Sequence, residues 1–297
     1  MTQTRCGFVA VVGRPNVGKS TLINAIIGTK VSIVTHKPQT TRHRILAVHS
    51  SPSTQIIFVD TPGLHRKAGK AINRLMNRTA ATALADADLI VFVTEATRWT
   101  DEDRDVLERL KSTKAPVIAV LNKVDRVHPK ERLLAAIAEM VARYDFAEVL
   151  PLSAKQGDNL DVLLDLVPAY LPESPFLFPP EMQTDRGAAF RASEIIREKL
   201  TLLLHQELPY GLTVQIERYE EEGDRLGIDA IIWVERDSQK GIVIGKGGSV
   251  LKTVGQSARL ELAEQLRRPV HLELWVKVKD NWSDSDKELQ RFGYDSP

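Results

Sequence analysis

The stretch Gly13-Arg14-Pro15-Asn16-Val17-Gly18-Lys19-Ser20, followed by Thr21, carries the most specific chemistry in this chain. It fits G-x-x-x-x-G-K-S, a phosphate-binding pattern. The two glycines let the backbone curl so that its N–H groups point inward, and the start of a following helix adds donors and a positive dipole end. Lys19 is placed to reach the β- and γ-phosphates of a nucleoside triphosphate, and Ser20 to ligate Mg2+. Asp60-Thr61-Pro62-Gly63 matches D-x-x-G. Asp60 is expected to hold Mg2+ through water, and the Gly63 N–H to approach the γ-phosphate. Alone, this second pattern is also that of an ordinary turn.

Asn122-Lys123-Val124-Asp125 addresses the base. Asp125 is expected to accept two hydrogen bonds from guanine N1–H and N2–H2, a charge-assisted pair. Adenine offers neither donor, and a polar site left unpaired rejects an analogue by ~10^4 or more. Lys123 is expected along the base plane, and Asn122 to tie this loop to the phosphate loop. Ser153-Ala154-Lys155 fits a loop whose backbone N–H contacts guanine O6. Gln39, Thr40, Thr41, Arg42 and His43 form a candidate switch, with Thr41 completing the Mg2+ shell when the γ-phosphate is present.

These residues need strand ends to hold them. Short apolar strands are expected at Phe8–Val12, Arg44–Val48, Gln55–Val59, Leu89–Val93, Val117–Leu121 and Glu148–Leu152. Helices are expected to follow the phosphate loop, over 70–85, from a Thr100 cap to about Ser112, over 130–144 and from Leu160. Alternating strands and helices mean an α/β domain, a mostly parallel sheet flanked by helices. Each motif falls just past the carboxyl end of a strand, where such sheets bind ligands. Pro172, Pro175, Pro179 and Pro180 break the rhythm. Residues 1–175 are expected to form a GTP-binding domain, 176–190 a semi-rigid linker and 191–297 a second domain.

The second part is expected to hold a helix over 191–207, strands Thr213–Arg218 and Ile228–Glu235, a helix over 249–266 and a strand Val270–Val278. Before the long helix stands Ile244-Gly245-Lys246-Gly247-Gly248. G-x-x-G is the KH signature that clamps single-stranded nucleic-acid backbone, and Lys252 extends it. The plain alternative is a helix-initiating turn. Residues 177–297 carry 17 basic and 21 acidic side chains, but 236–279 carry nine basic against four acidic, a local phosphate-tracking surface. Trp275 and Trp282 suit either base stacking or ordinary packing, with packing favoured.

The 297 residues and net charge of +1 name no partner by bulk charge. The single Cys6 excludes a disulfide framework and a cysteine metal site and fits a cytoplasmic protein. No apolar run reaches membrane-spanning length and no signal-peptide layout is present. Three function classes remain: an RNA-binding GTPase switch, a GTPase regulator whose second domain binds protein or membrane partners, and a P-loop small-molecule kinase. Asn122–Asp125 argues against the third.

GRPNVGKS, QTTRH, DTPG, NKVD, the Ser153-Ala154 loop, the Pro-rich linker and IGKGG together resemble the Era family of bacterial GTPases, over essentially the whole chain. The resemblance implies a P-loop GTPase domain with Mg2+ as cofactor and a C-terminal α+β KH domain. It implies GTP and GDP as ligands and binding to the 3′ end of 16S ribosomal RNA. It also implies a part in 30S subunit biogenesis, a monomer, and peripheral association with the inner face of the cell membrane. Ras-like GTPases place a water-orienting Gln after D-x-x-G; Leu64 stands there, so slow intrinsic hydrolysis is expected. Related GTPases with Asn at the position of Asn16 use K+ near the β- and γ-phosphates. The Asn16 side-chain oxygen is the expected K+ ligand; the alternative is that Asn16 bonds only its own loop.

Overall fold

The computed structural model describes residues 4–37, 40–62, 70–204 and 208–294. The expectations for Gln39, Gly63 and Leu64 lie outside the described residues.

The first part runs β1 (Arg5–Val12), α1 (Lys19–Ile27), β2 (Ile45–Ser50), β3 (Thr54–Asp60), α2 (Ala71–Ala85), β4 (Leu89–Glu95), α3 (Asp101–Leu110), β5 (Val117–Asn122), α4 (Arg132–Val141), β6 (Glu148–Pro151) and α5 (Leu160–Leu166). The sheet order is β2-β3-β1-β4-β5-β6, parallel throughout except for β2 against β3. Strands β3 and β5 are buried along their whole length, which explains why they are apolar on both faces rather than alternating. Val9, Val11, Phe58 and Val91 point to a core shared with α1 and α5, while Val12, Phe92 and Ile90 pack with α3. Each of these large side chains contributes roughly 1.5–3 kcal/mol by leaving water. Thr100 caps α3 in a reciprocal box with Asp103.

The second part runs α6 (Ala188–Leu203), β7 (Leu212–Glu222), β8 (Arg225–Val234), α7 (Asp237–Ile244), α8 (Ser249–Leu266), β9 (Val270–Val278) and α9 (Asp286–Arg291). Its sheet is β7-β8-β9, with β8 and β9 parallel. Apolar residues of α6 and α8, among them Ile196, Leu200, Val254 and Leu262, form its core with Ile228, Ala230 and Ile232.

Four expectations need correction. Helix α6 starts at Ala188, not 191, and ends at Leu203. Helix α7 occupies the apolar run Ile242-Val243-Ile244, where no helix was expected; Gly241 and three β-branched residues conceal it. The Pro-rich stretch, expected as a semi-rigid linker, is strapped along the first part. Gln55 accepts from the N–H groups of Leu177 and Phe178 at 2.9 and 3.0 Å and donates to the Phe178 carbonyl at 2.8 Å. The Val48 N–H donates to the Gln183 carbonyl and the Leu46 N–H to Asp185, each at 2.9 Å. The open edge of β2 leaves backbone groups that this stretch satisfies. Finally, the chain end is not confined to the second part. Trp282, Leu289 and Tyr294 pack on Ala71, Ile72 and Leu75 of α2, and the Trp282 indole N–H donates to the Gly211 carbonyl at 3.2 Å. Trp282 is therefore packing, whereas Trp275 on β9 is 43% exposed.

Candidate nucleotide-binding site and glycine-loop face

The phosphate loop joins β1 to α1. Gly18 has φ 105, and a Cβ there would lie 2.3 Å from Asn122 Nδ2, so only glycine lets the loop meet Asn122 this closely. Lys19 donates to the carbonyls of Gly13 and Arg14 at 2.9 and 3.0 Å. Burial pushes its ammonium down to about 8, against the pull of Asp60. A cation held in so dry a cradle favours an incoming anion. Pro15, Asn16 and Thr21 line the cleft above it, and Val17 is fully buried beneath.

Ser20, Thr41 and Asp60 converge. The Ser20 hydroxyl donates to Asp60 Oδ2 at 3.0 Å, and Thr41 Oγ1 lies 3.1 Å from Ser20 Oγ and donates to Asp60 Oδ2 at 3.4 Å. Asp60 Oδ1 is buried with no partner, and burial raises the carboxyl's pKa despite Lys19 and the hydroxyls. A buried carboxylate oxygen left without a donor is costly; three oxygen ligands around it fit a hard divalent cation. Thr61 donates to the Val11 carbonyl at 3.1 Å and Pro62 is buried, so both hold the strand end.

Asn122 joins three loops. Its Nδ2 donates to the Val17 carbonyl at 2.8 Å, and its Oδ1 accepts from the N–H groups of Lys123 and Ala154 at 2.7 and 3.0 Å. Asp125 accepts from the Ser153 hydroxyl at 2.7 Å, and that bond leads the lowering of its pKa. Val124 is buried behind the loop, and Lys155 is exposed at its rim.

Arg14 departs from expectation. Its guanidinium turns away from the cradle to Asp103 Oδ2 at 2.9 Å and Glu95 Oε2 at 3.2 Å. Only its backbone faces the loop interior. Glu95 also pairs with Lys123, whose ammonium reaches the Asn16 carbonyl at 2.6 Å. Burial pushes the Glu95 carboxyl up, but Lys123 and Arg14 together hold it below the usual range. Glu95 and Asp103 thus brace the phosphate loop from behind. The sequence signal for Asp103 was its place in the Thr100 cap, which pointed only to a helix start.

The switch segment is gripped by the second part. The Val34 N–H donates to Glu198 Oε1 at 2.9 Å, and Arg197 donates to the Thr40 carbonyl at 2.5 Å. The Lys37 ammonium caps the end of α6 through the carbonyls of Thr201 and Leu204. Arg42 and His43 do not face the nucleotide cleft: Arg42 donates to the Leu212 carbonyl at 2.7 Å, and His43 stacks on Tyr294 at 4.4 Å.

Burial pushes the His43 imidazole down from 6.5 to about 4, with Glu194 opposing. The unfolded chain therefore takes up a proton that the native protein resists. The stability this group contributes is complete above pH 6.5 and is lost as pH falls toward 4; by pH 5 roughly 2 kcal/mol is gone. Denaturant unfolding at pH 7 and pH 5 should show a smaller loss for His43→Phe than for wild type. Equal losses would remove His43 from the acid response.

At the other end, Gly245, Gly247 and Gly248 all have positive φ, between the end of α7 and the start of α8. Lys246 and Lys252 are exposed there, Ile242 is 56% exposed, and Ile244 packs against the second core. This is an open, basic turn with an apolar shoulder.

Residues 8–123 match the family described as 50S ribosome-binding GTPase, and residues 207–283 match the KH domain. GTPase Era of Actinobacillus pleuropneumoniae serotype 5b is 51% identical over 293 residues, 98% of this chain and 96% of that one. The chain belongs to the Era family. Era of Coxiella burnetii (strain Dugway 5J108-111) is 50% identical over 295 residues, 99% of this chain and all of that one. A crystal structure of Era with MgGDPNP and nucleotides 1506–1542 of 16S ribosomal RNA has a TM-score of 0.93 at 41% identity, covering 98% of this chain and 99% of that one. A variant of Aquifex aeolicus Era bound to GDP·AlF4− has a TM-score of 0.92 at 40% identity, with the same coverage. The first part is thus a P-loop GTPase domain and the second a KH domain, as in Era. Among the described residues no helix is long and apolar enough to cross a membrane.

Proposed function

We propose that this Era-family protein binds and hydrolyses GTP in the cleft above Lys19, carries small-subunit ribosomal RNA on the Gly245–Gly248 turn, and so assists 30S subunit assembly in the cytoplasm. The observation that carries this reading is the three-way tie through Asn122, which fixes a phosphate cradle, a base-facing carboxylate and a backbone N–H at one cleft. The RNA half draws on the 16S fragment held by the related Era. We place the division between the domains in the strapped stretch 176–187.

Ser20, Thr41 and Asp60 are the residues to hold Mg2+, which when bound offsets the negative charge on the β- and γ-phosphate oxygens. The backbone N–H groups of residues 13–21 and Lys19 orient the phosphates. Asp125 selects guanine, beside a loop that the Ala154 N–H ties to Asn122. The test of the whole reading is to sequence RNA that co-purifies with the GTP-loaded and GDP-loaded protein. Enrichment of the 3′ region of 16S RNA in one state is expected. RNA unrelated to the small subunit, or none, would leave a GTPase whose second domain binds a protein or membrane partner.

The Asn16 side chain donates to the His36 carbonyl at 2.7 Å, a bond to the switch segment rather than to its own loop. Its Oδ1 accepts no hydrogen bond among the described residues. We propose that this oxygen would help hold a K+ ion near the β- and γ-phosphates. Hydrolysis is expected to run faster in potassium chloride than in matched sodium chloride, and the difference to vanish in Asn16→Ala. Equal wild-type rates in the two salts would sink the idea. A potassium effect that survives in Asn16→Ala would move the ligand elsewhere, to backbone carbonyls of the 34–41 segment.

A further inference from the structure

A second polar cavity lies away from the nucleotide cleft, where β2, the strap and the chain end meet. Its volume is about 350 Å3, within the ~300–1,000 Å3 range usual for small-molecule sites. Arg42, Arg44 and Arg186 line it, with Asp185 as the acid among its lining residues. Asp185 is already engaged. Its Oδ1 accepts the Leu46 N–H at 2.9 Å, and its Oδ2 lies 3.7 Å from Arg186 Nε. The nearby Glu194 is engaged too, in a pair with Arg197 at 2.6 Å.

Arg44 is the unusual member. Its Nε is buried with no hydrogen-bond partner, as is that of Arg186, whose Nη2 donates to the Arg44 carbonyl. Among the described residues the Arg44 guanidinium makes no ion pair and no hydrogen bond, although five N–H donors sit on that group. Arg44 is half-buried, with its Nε the buried donor, and a buried donor left unmet calls for a partner, whether water, an ion or a ligand. Of the rest of the lining, Phe8, Leu46, Leu75 and Tyr294 are apolar or aromatic, while His43, stacked on Tyr294, and Thr79 add polar atoms. A guanidinium fork matches phosphate geometry, and a flat apolar wall matches a ring.

We propose that this interdomain cavity binds a small phosphate-bearing ligand of mononucleotide size, with Arg44 and Arg186 on the phosphate and the Tyr294 side on its apolar body. The ligand would touch the exit of the switch segment, the strap and the chain end at once. Binding there would therefore clamp the two domains in the arrangement described above.

Thermal unfolding and calorimetry of the full chain test this. The probes are inorganic phosphate, pyrophosphate and adenosine 5′-monophosphate; the last is chosen because the guanine site rejects it. Lys19→Ala provides a background in which the phosphate loop no longer competes. In that background adenosine 5′-monophosphate should still raise the melting temperature, more than inorganic phosphate does. Arg44→Gln with Arg186→Gln should weaken it at least tenfold, and Arg44→Lys, which keeps the charge but not the fork, should fall between. Stronger binding of pyrophosphate than of the mononucleotide would keep the anion site but overturn the apolar wall. No melting shift in Lys19→Ala, or a shift unchanged by the double variant, would overturn the proposal. Should the double variant fail to fold, Arg44→Lys alone must still lower the affinity, and an unchanged affinity there refutes it.

Discussion

Asp125→Asn is expected to weaken GTP by a factor on the order of 10^3–10^4 and to shift preference toward XTP. Asp125 is ionised throughout the working range, because the Ser153 hydroxyl bond at 2.7 Å favours its charged form. An ionised acceptor pairs with the two donors of guanine. The amide of Asn puts an NH2 donor where one carboxylate oxygen stood, which opposes a guanine N–H but suits the second carbonyl of xanthine. Competition binding of the two triphosphates checks this. An undiminished GTP preference in the variant would take Asp125 out of base recognition.

Gly247→Asp is expected to abolish RNA binding while leaving GTP binding intact. The φ of +60 at Gly247 lies where Asp is among the few tolerated residues, and a Cβ there meets nothing within 4 Å. The turn therefore keeps its shape. What changes is charge: a carboxylate is placed against phosphates beside Lys246 and Lys252. Like charges brought together at an interface cost several kcal/mol, a loss on the order of 10^2-fold or more. Filter binding of 16S RNA fragments at physiological salt, alongside GTP titration, gives the answer. Retained RNA affinity would mean that the turn only starts α8.

The strands and the phosphate loop were legible because a buried parallel sheet demands short apolar runs and its ligands sit at strand ends. Thr100 announced its helix through a local cap, and Val270–Val278 matched its strand end for end. Long-range partners were not legible. Nothing in the sequence near Gln55 says that it holds Leu177 and Phe178, and nothing near Arg14 says that it turns to Asp103. Helix α7 was hidden because Ile, Val and Ile favour strands, and here the tertiary core decides. The inward direction of Arg42 and His43 was missed for the same reason: a polar, threonine-rich segment looks solvated until a second domain covers it.

Helix α6 holds Val34 and Thr40 through Glu198 and Arg197, and Lys30 bridges Glu198 to Glu261 of α8 at 2.5 and 2.6 Å. The same α8 begins at the Gly245–Gly248 turn. The proposed nucleotide and RNA sites therefore sit at opposite ends of one chain of contacts. Thermodynamic reciprocity then applies: whatever factor GTP changes in RNA affinity, RNA must change in GTP affinity. The arrangement works as a two-way gauge. Whichever sign that factor has, the seating of RNA on the turn and the retention of nucleotide at the guanine cleft change together, with no contact between the two ligands.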